Sequence, residues 1–588
     1  MKRFAVVVPL MLFAASIGKS ASGQVASLSE EFIQTSLSFS PSSATGVGLH
    51  QYKNQNLDNL LDDVGPASLE KQRQFYRGFL RRLNALEAAG LTPEDRADLR
   101  ILQDQIGLAL LDLDQIHSEQ HNPTIYVEAL GNAFFSPFTL EYAPLPSRIA
   151  SIVERLKQVP RYLDQAAANL TSAPEIWTKV AVDENQGTVG LINETIRKAV
   201  PADLRQSYDA AAGPALGALA RFQTFLTATL AKRNSADWRL GSDRYTRKFA
   251  FVLETGEQPA PTLVRAEQEL KQVRAHMLAV ATPLHLRMFP AHKQHRELSP
   301  EAHDNTIVRE VLDRIAERHS TPASFLDDAR KDLDEARAFV AEKHLLTLPA
   351  NSNLQVIPTP EFMRGVYSVG GFNPAPALEP KLGAFYWVTP IPANWPRQRI
   401  ESKLREYDYY GLQLLTIHEA MPGHYVQFEF ANAVQPESRR ALRAVFGNDP
   451  YVEGWAVYAT QMMIEQGYPD HSPEMELSFD KQLLRVFANT ILDIRMQTMN
   501  MSDQDALDLM EKQTFQEKEE AEEKLQRAKL TSCQLPVYFV GWRGWRDLLE
   551  RDRKAQGGSF SLIKFHDRAL AEGAVPLAEM DSLLGLGK

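Results

Sequence analysis

The residues best equipped for chemistry lie in His418-Glu419-Ala420-Met421-Pro422-Gly423-His424, with Glu453-Gly454-Trp455 further along the chain. Two imidazoles, a carboxylate beside the first and a second carboxylate at the head of a later apolar helix are the ligand set (His418, His424, Glu453) and the base (Glu419) of a one-zinc hydrolase. The spacing is unusual. Histidines four apart on a helix stand about 40° from each other on the wheel and face one ion. Six apart, they stand about 240° from each other at roughly 100° per residue. An unbroken α-helix cannot aim both at one metal.

The residues between them offer a way round. Pro422 has no N–H to bond the carbonyl of His418, so regular helix cannot continue through that turn. Gly423 accepts dihedrals that other residues refuse. Two extra residues can then be absorbed as a bulge or wide turn that returns His424 to His418. The alternative is a helix that ends at Met421, with His424 a loop histidine. Three features weigh towards a site. His418 continues a helical stripe of Leu404, Tyr407, Gly411 and Leu414 and should point inward. Glu453 shares a face with Val457, Thr460 and Ile464, and a carboxylate on an apolar face must be paired, protonated or metal-bound. Near the C-terminus, Gln534 and Tyr538 sit one turn apart, and the Tyr538 phenol could donate to a developing oxyanion.

At this point the chain resembles a known family. The segments HEAMPGHYVQ, EGWAVYA, ILDIRMQ and PVYFVG occur in the order seen in the bacterial domain-of-unknown-function 885 family, and ATGVGLHQY (Ala44 to Tyr52) is similar to its N-terminal pattern. The resemblance spans most of the chain beyond residue 23. That family in turn looks like a distant branch of the gluzincin zinc metallopeptidases. It implies His418, His424 and Glu453 as Zn²⁺ ligands and Glu419 as base. One departure is Gln497, where many members carry His, so no substrate or oxyanion role transfers to that position.

Composition sets the address and excludes some partners. Lys2 and Arg3 precede an apolar run from Phe4 to Ala15 and small residues through Gly23, which reads as a secretory signal peptide over 1–23. The run is too short for a membrane anchor, which needs roughly eighteen apolar residues or more. No cysteine lies near the cleavage point, so a lipidated N-terminus is not expected. The expected location is periplasmic or secreted. Cys533 is the single cysteine of the 588 residues, which excludes intrachain disulfides and suits a buried small apolar residue. The net charge of −10 argues against nucleic acid or an anionic membrane as partner.

Helical signals dominate from 24 to 345. Stripes begin at Ser68-Leu69-Glu70, at Thr92-Pro93-Glu94-Asp95 (a capped start with proline at the first helical position), and over 147–170, 203–232, 262–281, 305–318 and 322–343. Between 350 and 400, Leu354–Ile357 and Ala384–Thr389 read as short strands separated by Gly- and Pro-rich turns. The expected fold is mainly α, a large helical zinc-metallopeptidase-like body with a small β-sheet bordering the active-site cleft. An N-terminal helical region (24–345) and a catalytic region (346–588) would flank that cleft. His285, His292, His295 and His303, mixed with Arg287, Lys293 and Arg296, read as a solvated basic loop. The charged run from Glu511 to Lys529 reads as an exposed helix face. Asp493, Asp449 and Asp480 are rival carboxylates for the free nitrogen of a ligand histidine. Arg485, Arg495 and Arg527 are rival partners for a substrate carboxylate.

The chemistry expected is hydrolysis of a peptide bond by a zinc-activated water, with Glu419 taking and passing its proton and Tyr538 facing the oxyanion. The same residues would serve a zinc hydrolase of esters or non-peptide amides. A non-catalytic binding protein on this scaffold would be marked by loss of the base or a ligand, and all four positions are intact. Substrate length, end preference and oligomeric state leave no mark in the sequence.

Overall fold

Local chemistry starts the helices. The Thr92 hydroxyl accepts from the Asp95 N–H, and the Asp95 carboxylate accepts from the Thr92 N–H, each at 3.2 Å. This reciprocal cap opens the helix Pro93–Leu111. Ser299, Asn448, Ser472 and Ser502 cap later helices in the same way, each accepting a backbone N–H. The 147–170 stripe divides into Leu145–Leu156 and Val159–Asn169. Pro160 lacks the N–H that would bond the carbonyl of Leu156, and the helix is interrupted just before it.

The structure, a computed structural model, describes residues 21–586 apart from 87–89, 234–236, 292–294, 296, 350–352, 361–363 and 365–368. The protein is mainly α. The signal peptide read over 1–23 lies outside the described residues, except that its last three positions open the helix Ala21–Ser38.

Three apolar cores are enclosed. One lies between Leu61 and Leu230. A smaller one joins Leu28, Phe32, Phe79 and Leu102 to Leu442. The largest holds the helices from Leu240 onward together with everything around His418, and it crosses the change from helices to strands near residue 346.

The sheet beside the candidate site has three strands. Leu354–Pro358 runs parallel to the central strand Ala384–Val388, and Gly370–Asn373 runs antiparallel to it on the other side. The outer strand Gly370–Asn373 was expected to be a Gly-rich turn. Gly370 explains the difference. A Cβ there would stand 2.4 Å from the Trp387 carbonyl oxygen, so glycine is required by close approach to the neighbouring strand.

Two helices cross at glycine. Asp449–Glu465 and Val537–Gln556 meet where a Cβ on Gly454 would lie 2.2 Å from the Gly541 carbonyl carbon, and one on Gly541 would lie 1.9 Å from the Pro450 oxygen. Neither helix can yield without repacking Trp455, Trp542 and Trp545, all buried. Gly541→Ala should therefore cost about 1–3 kcal/mol, read as a lowered urea midpoint. Gly217→Ala is the control. It lies in the helix Arg205–Thr224 with only an arginine side-chain end near it, 3.8 Å away, and should be neutral or stabilising by up to ~1 kcal/mol.

Candidate metal centre

The backbone does leave the helix between the two histidines. The first helix, Tyr409–Glu419, starts at Asp408, whose carboxylate accepts from the N–H groups of Tyr410 and Gly411 at 2.9 Å. It stops at Glu419, with Ala420 at φ −126°, ψ −71°. The Met421–Pro422 peptide is cis, the Gly423 N–H donates to the Ile417 carbonyl at 2.9 Å, and a new helix, His424–Asn432, begins at once. Gly423 has no substitute in this turn. A Cβ there would stand 1.9 Å from the His418 oxygen and 2.4 Å from the Ile417 oxygen. The turn folds the chain back on itself, and the His418 and His424 rings lie 4.8 Å apart, nearly perpendicular.

Glu453 completes the group. Its Oε2 lies 3.6 Å from His418 Nε2 and 3.5 Å from His424 Nε2, and each residue offers a ligand atom within 4.8 Å of the others. Donors held at roughly 2.0–2.1 Å around a tetrahedral zinc ion are about 3.3–3.4 Å apart, so these separations leave room for one cation. Among the described residues Glu453 Oε2 is buried with no hydrogen-bond partner, and a buried unpaired oxygen is compatible with an ion at this point. The donor set fits zinc. Burial alone would raise the Glu453 carboxyl, but the two imidazoles beside it outweigh burial and hold it well below the usual carboxylate range. Burial alone would lower His424, and Glu453 followed by Glu419 outweighs it, so that imidazole is raised.

Neighbouring elements fix these side chains. The buried Trp455, two residues after Glu453, donates its indole N–H to the carbonyls of Pro422 (2.9 Å) and Gly423 (3.2 Å). Helix and turn are thereby joined across the site. The sequence displays Trp455 inside the EGW segment, but nothing in its spacing reveals this role. Glu419 Oε2 accepts the Phe372 N–H at 2.8 Å, and the Phe372 ring stacks near His424 with centroids 6.5 Å apart. The outer strand of the sheet thus borders the site. Tyr538 follows from the glycine crossing, since it precedes Gly541 by three residues as Glu453 precedes Gly454 by one. Burial, then the charge of Glu453, pushes the phenol up to about 12, so it is a neutral donor at pH 7. Its oxygen lies 3.4 Å from Arg527 Nη2.

The rival residues go elsewhere. Asp493 accepts from the N–H groups of Cys533 (3.2 Å) and Leu535 (3.3 Å) and supports the loop before Tyr538. Asp480 bonds His276 at 2.7 Å. Asp449, pushed up to about 6 by burial and then by Glu453, makes no hydrogen bond to either histidine. His424 Nδ1 is buried without a partner among the described residues, so none of the three carboxylates fills the supporting role. Gln497 is buried, taking the Leu240 N–H at 2.8 Å and donating to the Thr531 carbonyl at 3.2 Å, which makes it a brace between two loops. Cys533 is buried. Contrary to the solvated-loop reading, His285 is buried. It and His295 contact one oxygen of Glu310 at 2.7 and 3.0 Å, while His292 lies outside the described residues. That trio is a second group whose atoms could hold a metal ion, closed here to hydrogen-bond distance.

Residues 41–584 match the family described as a bacterial protein of unknown function (DUF885). The chain belongs to that family. No curated protein matches it. A solved structure described as a "putative lipoprotein of unknown function" from Shewanella oneidensis has 28% identity and a TM-score of 0.81, covering 95% of this chain and 99% of its own. A "putative lipoprotein" from Colwellia psychrerythraea has 18% identity and a TM-score of 0.76, covering 96% of this chain and 99% of its own. At that identity the likeness concerns the fold alone.

Trp455→Phe removes the indole donor while keeping most of the ring volume. The buried carbonyls of Pro422 and Gly423 lose a partner, at a cost of about 1–3 kcal/mol. The expected result is a lowered urea midpoint, with Tyr425→Phe, whose hydroxyl bonds Asn353 alone among the described residues, losing less.

Proposed function

We propose that the protein is a zinc-dependent peptidase of the gluzincin type. The observation that supports this most directly is the return of His424 to His418 around Gly423, with the unpaired Glu453 Oε2 facing both imidazoles. His418, His424 and Glu453 would hold the zinc ion, which when bound would supply a Lewis acid and lower the pKa of a bound water towards roughly 7. Glu419 then acts as general base. The Phe372 amide holds one of its oxygens, leaving the other to take the proton of the attacking water and pass it to the leaving nitrogen. Tyr538, neutral at pH 7, donates to the oxygen on which charge develops. The outer strand Gly370–Asn373 lies against Glu419, and an extended peptide would lie alongside it.

We also place the chain outside the cytoplasm, in the periplasm or secreted. The signal-like residues 1–23 and the description of the Shewanella oneidensis structure as a putative lipoprotein support this location. No helix among the described residues is long and apolar enough to cross a membrane.

Metal analysis of the purified protein should give one zinc per chain. 1,10-Phenanthroline should remove the metal together with cleavage of a mixed peptide library, and added zinc should restore both. His424→Ala should lose the metal. A protein that binds no zinc, or cuts peptides equally with and without chelator, would overturn the reading. Glu419→Gln separates base from ligand: it should keep the zinc and lose about 10²–10⁴-fold in kcat.

A further inference from the structure

The helix Lys518–Leu530 carries a run of charges, yet one of its faces is turned inward. Glu520 and Arg485 are paired there, and Lys481 is held by Glu406 at 2.8 Å. Arg495, farther off, pairs with Glu267 at 2.6 Å. Two cations on this inward face have no such partner among the described residues. Lys524 is 7% exposed and makes no ion pair. Arg527, one turn on and half-buried, spends one terminal nitrogen on neutral acceptors, Gln534 at 2.8 Å and Tyr538 at 3.4 Å. An arginine has five N–H donors in a planar fork suited to a carboxylate.

The cost of this arrangement is visible. Burial first, then the neighbouring Arg485 and Arg527, pull the Lys524 ammonium well below the ordinary lysine range, with Glu520 and Glu453 opposing. A buried cation without a counterion is unfavourable unless an anion arrives. Glu520 is shared with Arg485 and Glu453 faces the histidine pair, so among the described residues neither closes to an ion pair with Lys524. The cluster sits beside the proposed oxyanion donor, since Arg527 touches Tyr538 itself.

We infer that Arg527 and Lys524 form an anion clamp that binds a carboxylate of the substrate next to the reacting bond. The inference rests on the peptidase reading of the adjoining site and adds a specificity to it. The carboxylate can be the C-terminus of a peptide or an acidic side chain, and the chemistry of recognition is the same for both.

The test uses the zinc-loaded full chain and three versions of one peptide: free acid, C-terminal amide, and amide with a glutamate in place of the last residue. The wild type should favour a carboxylate-bearing peptide over the plain amide by at least about tenfold in kcat/KM, mainly through KM, the scale of a charged hydrogen bond. Preference for the free acid alone identifies the C-terminus, and restoration by the glutamate peptide identifies a side chain. Arg527→Gln should bring the ratio towards one, Arg527→Lys should restore part of it, and Lys524→Met should lower it. Equal rates on all three peptides in the wild type would overturn the clamp. So would a ratio that survives Arg527→Gln while kcat falls on every peptide, because Arg527 would then act only through Tyr538. The same comparison by fluorescence anisotropy on Glu419→Gln keeps the two readings separate. A carboxylate preference in binding that is lost with Arg527→Gln upholds the clamp even where the wild type cuts no peptide, and equal binding of all three overturns it.

Discussion

The whole site hangs on a backbone approach that only glycine permits. Between His418 and His424 the chain closes so tightly that the α-carbon of Gly423 lies against two carbonyl oxygens, and a single added carbon would stand 1.9 Å from one of them. That closure converts a spacing unfit for one metal on a straight helix into a facing pair of imidazoles. It also leaves the Pro422 carbonyl in need of a donor inside the protein, and the Trp455 N–H serves it together with the Gly423 carbonyl, which also accepts the Gln427 N–H. Turn and Glu453 helix therefore depend on each other: the residue that stabilises the turn rides on the same helix as the third candidate ligand.

A second close approach sets the other side. Gly454 and Gly541 let two helix backbones touch, which brings the start of the Val537–Gln556 helix, and Tyr538 with it, to the level of Glu453. The loop leading into that helix is held from beneath by Asp493 and Gln497 through backbone groups of Thr531, Cys533 and Leu535. The side chains of the candidate site are placed by helices and by buried polar contacts rather than by loose surface loops, which keeps their geometry narrow.

Much of this was legible in residue types, and the rest was hidden for definable reasons. The helices were visible through their periodicity and caps, as at Thr92-Pro93-Glu94-Asp95, and so was the central strand Ala384–Val388 through its aromatic and β-branched content. His418, Glu419, His424 and Glu453 stood out because titratable groups on apolar faces are conspicuous. Hidden were features whose cause is a neighbour distant in sequence. Gly370 reads as a turn because its reason, the Trp387 carbonyl, lies in another strand. Asp493 and Gln497 look like site residues on a polar stripe, and only the fold shows that their partners are backbone groups. Trp455 is an apolar core residue by every local measure, and its indole N–H matters because of where the turn ends.

The Lys518–Leu530 helix carries the same point to charge. A run of Glu, Lys and Arg at helical spacing describes two faces at once, and the sequence gives both the same composition. Glu519, Glu522 and Glu523 are out in water, whereas Glu520, Lys524 and Arg527 turn towards the site. A net charge of −10 therefore says little about the surroundings of Tyr538, where Arg527 lies 3.4 Å away and Glu453 acts from the other side. In a buried setting the field is set by the nearest few charges, because screening by water is lost. An overall acidic protein can thus hold cationic groups, the buried Lys524 and the half-buried Arg527, on the helix face turned towards its candidate site.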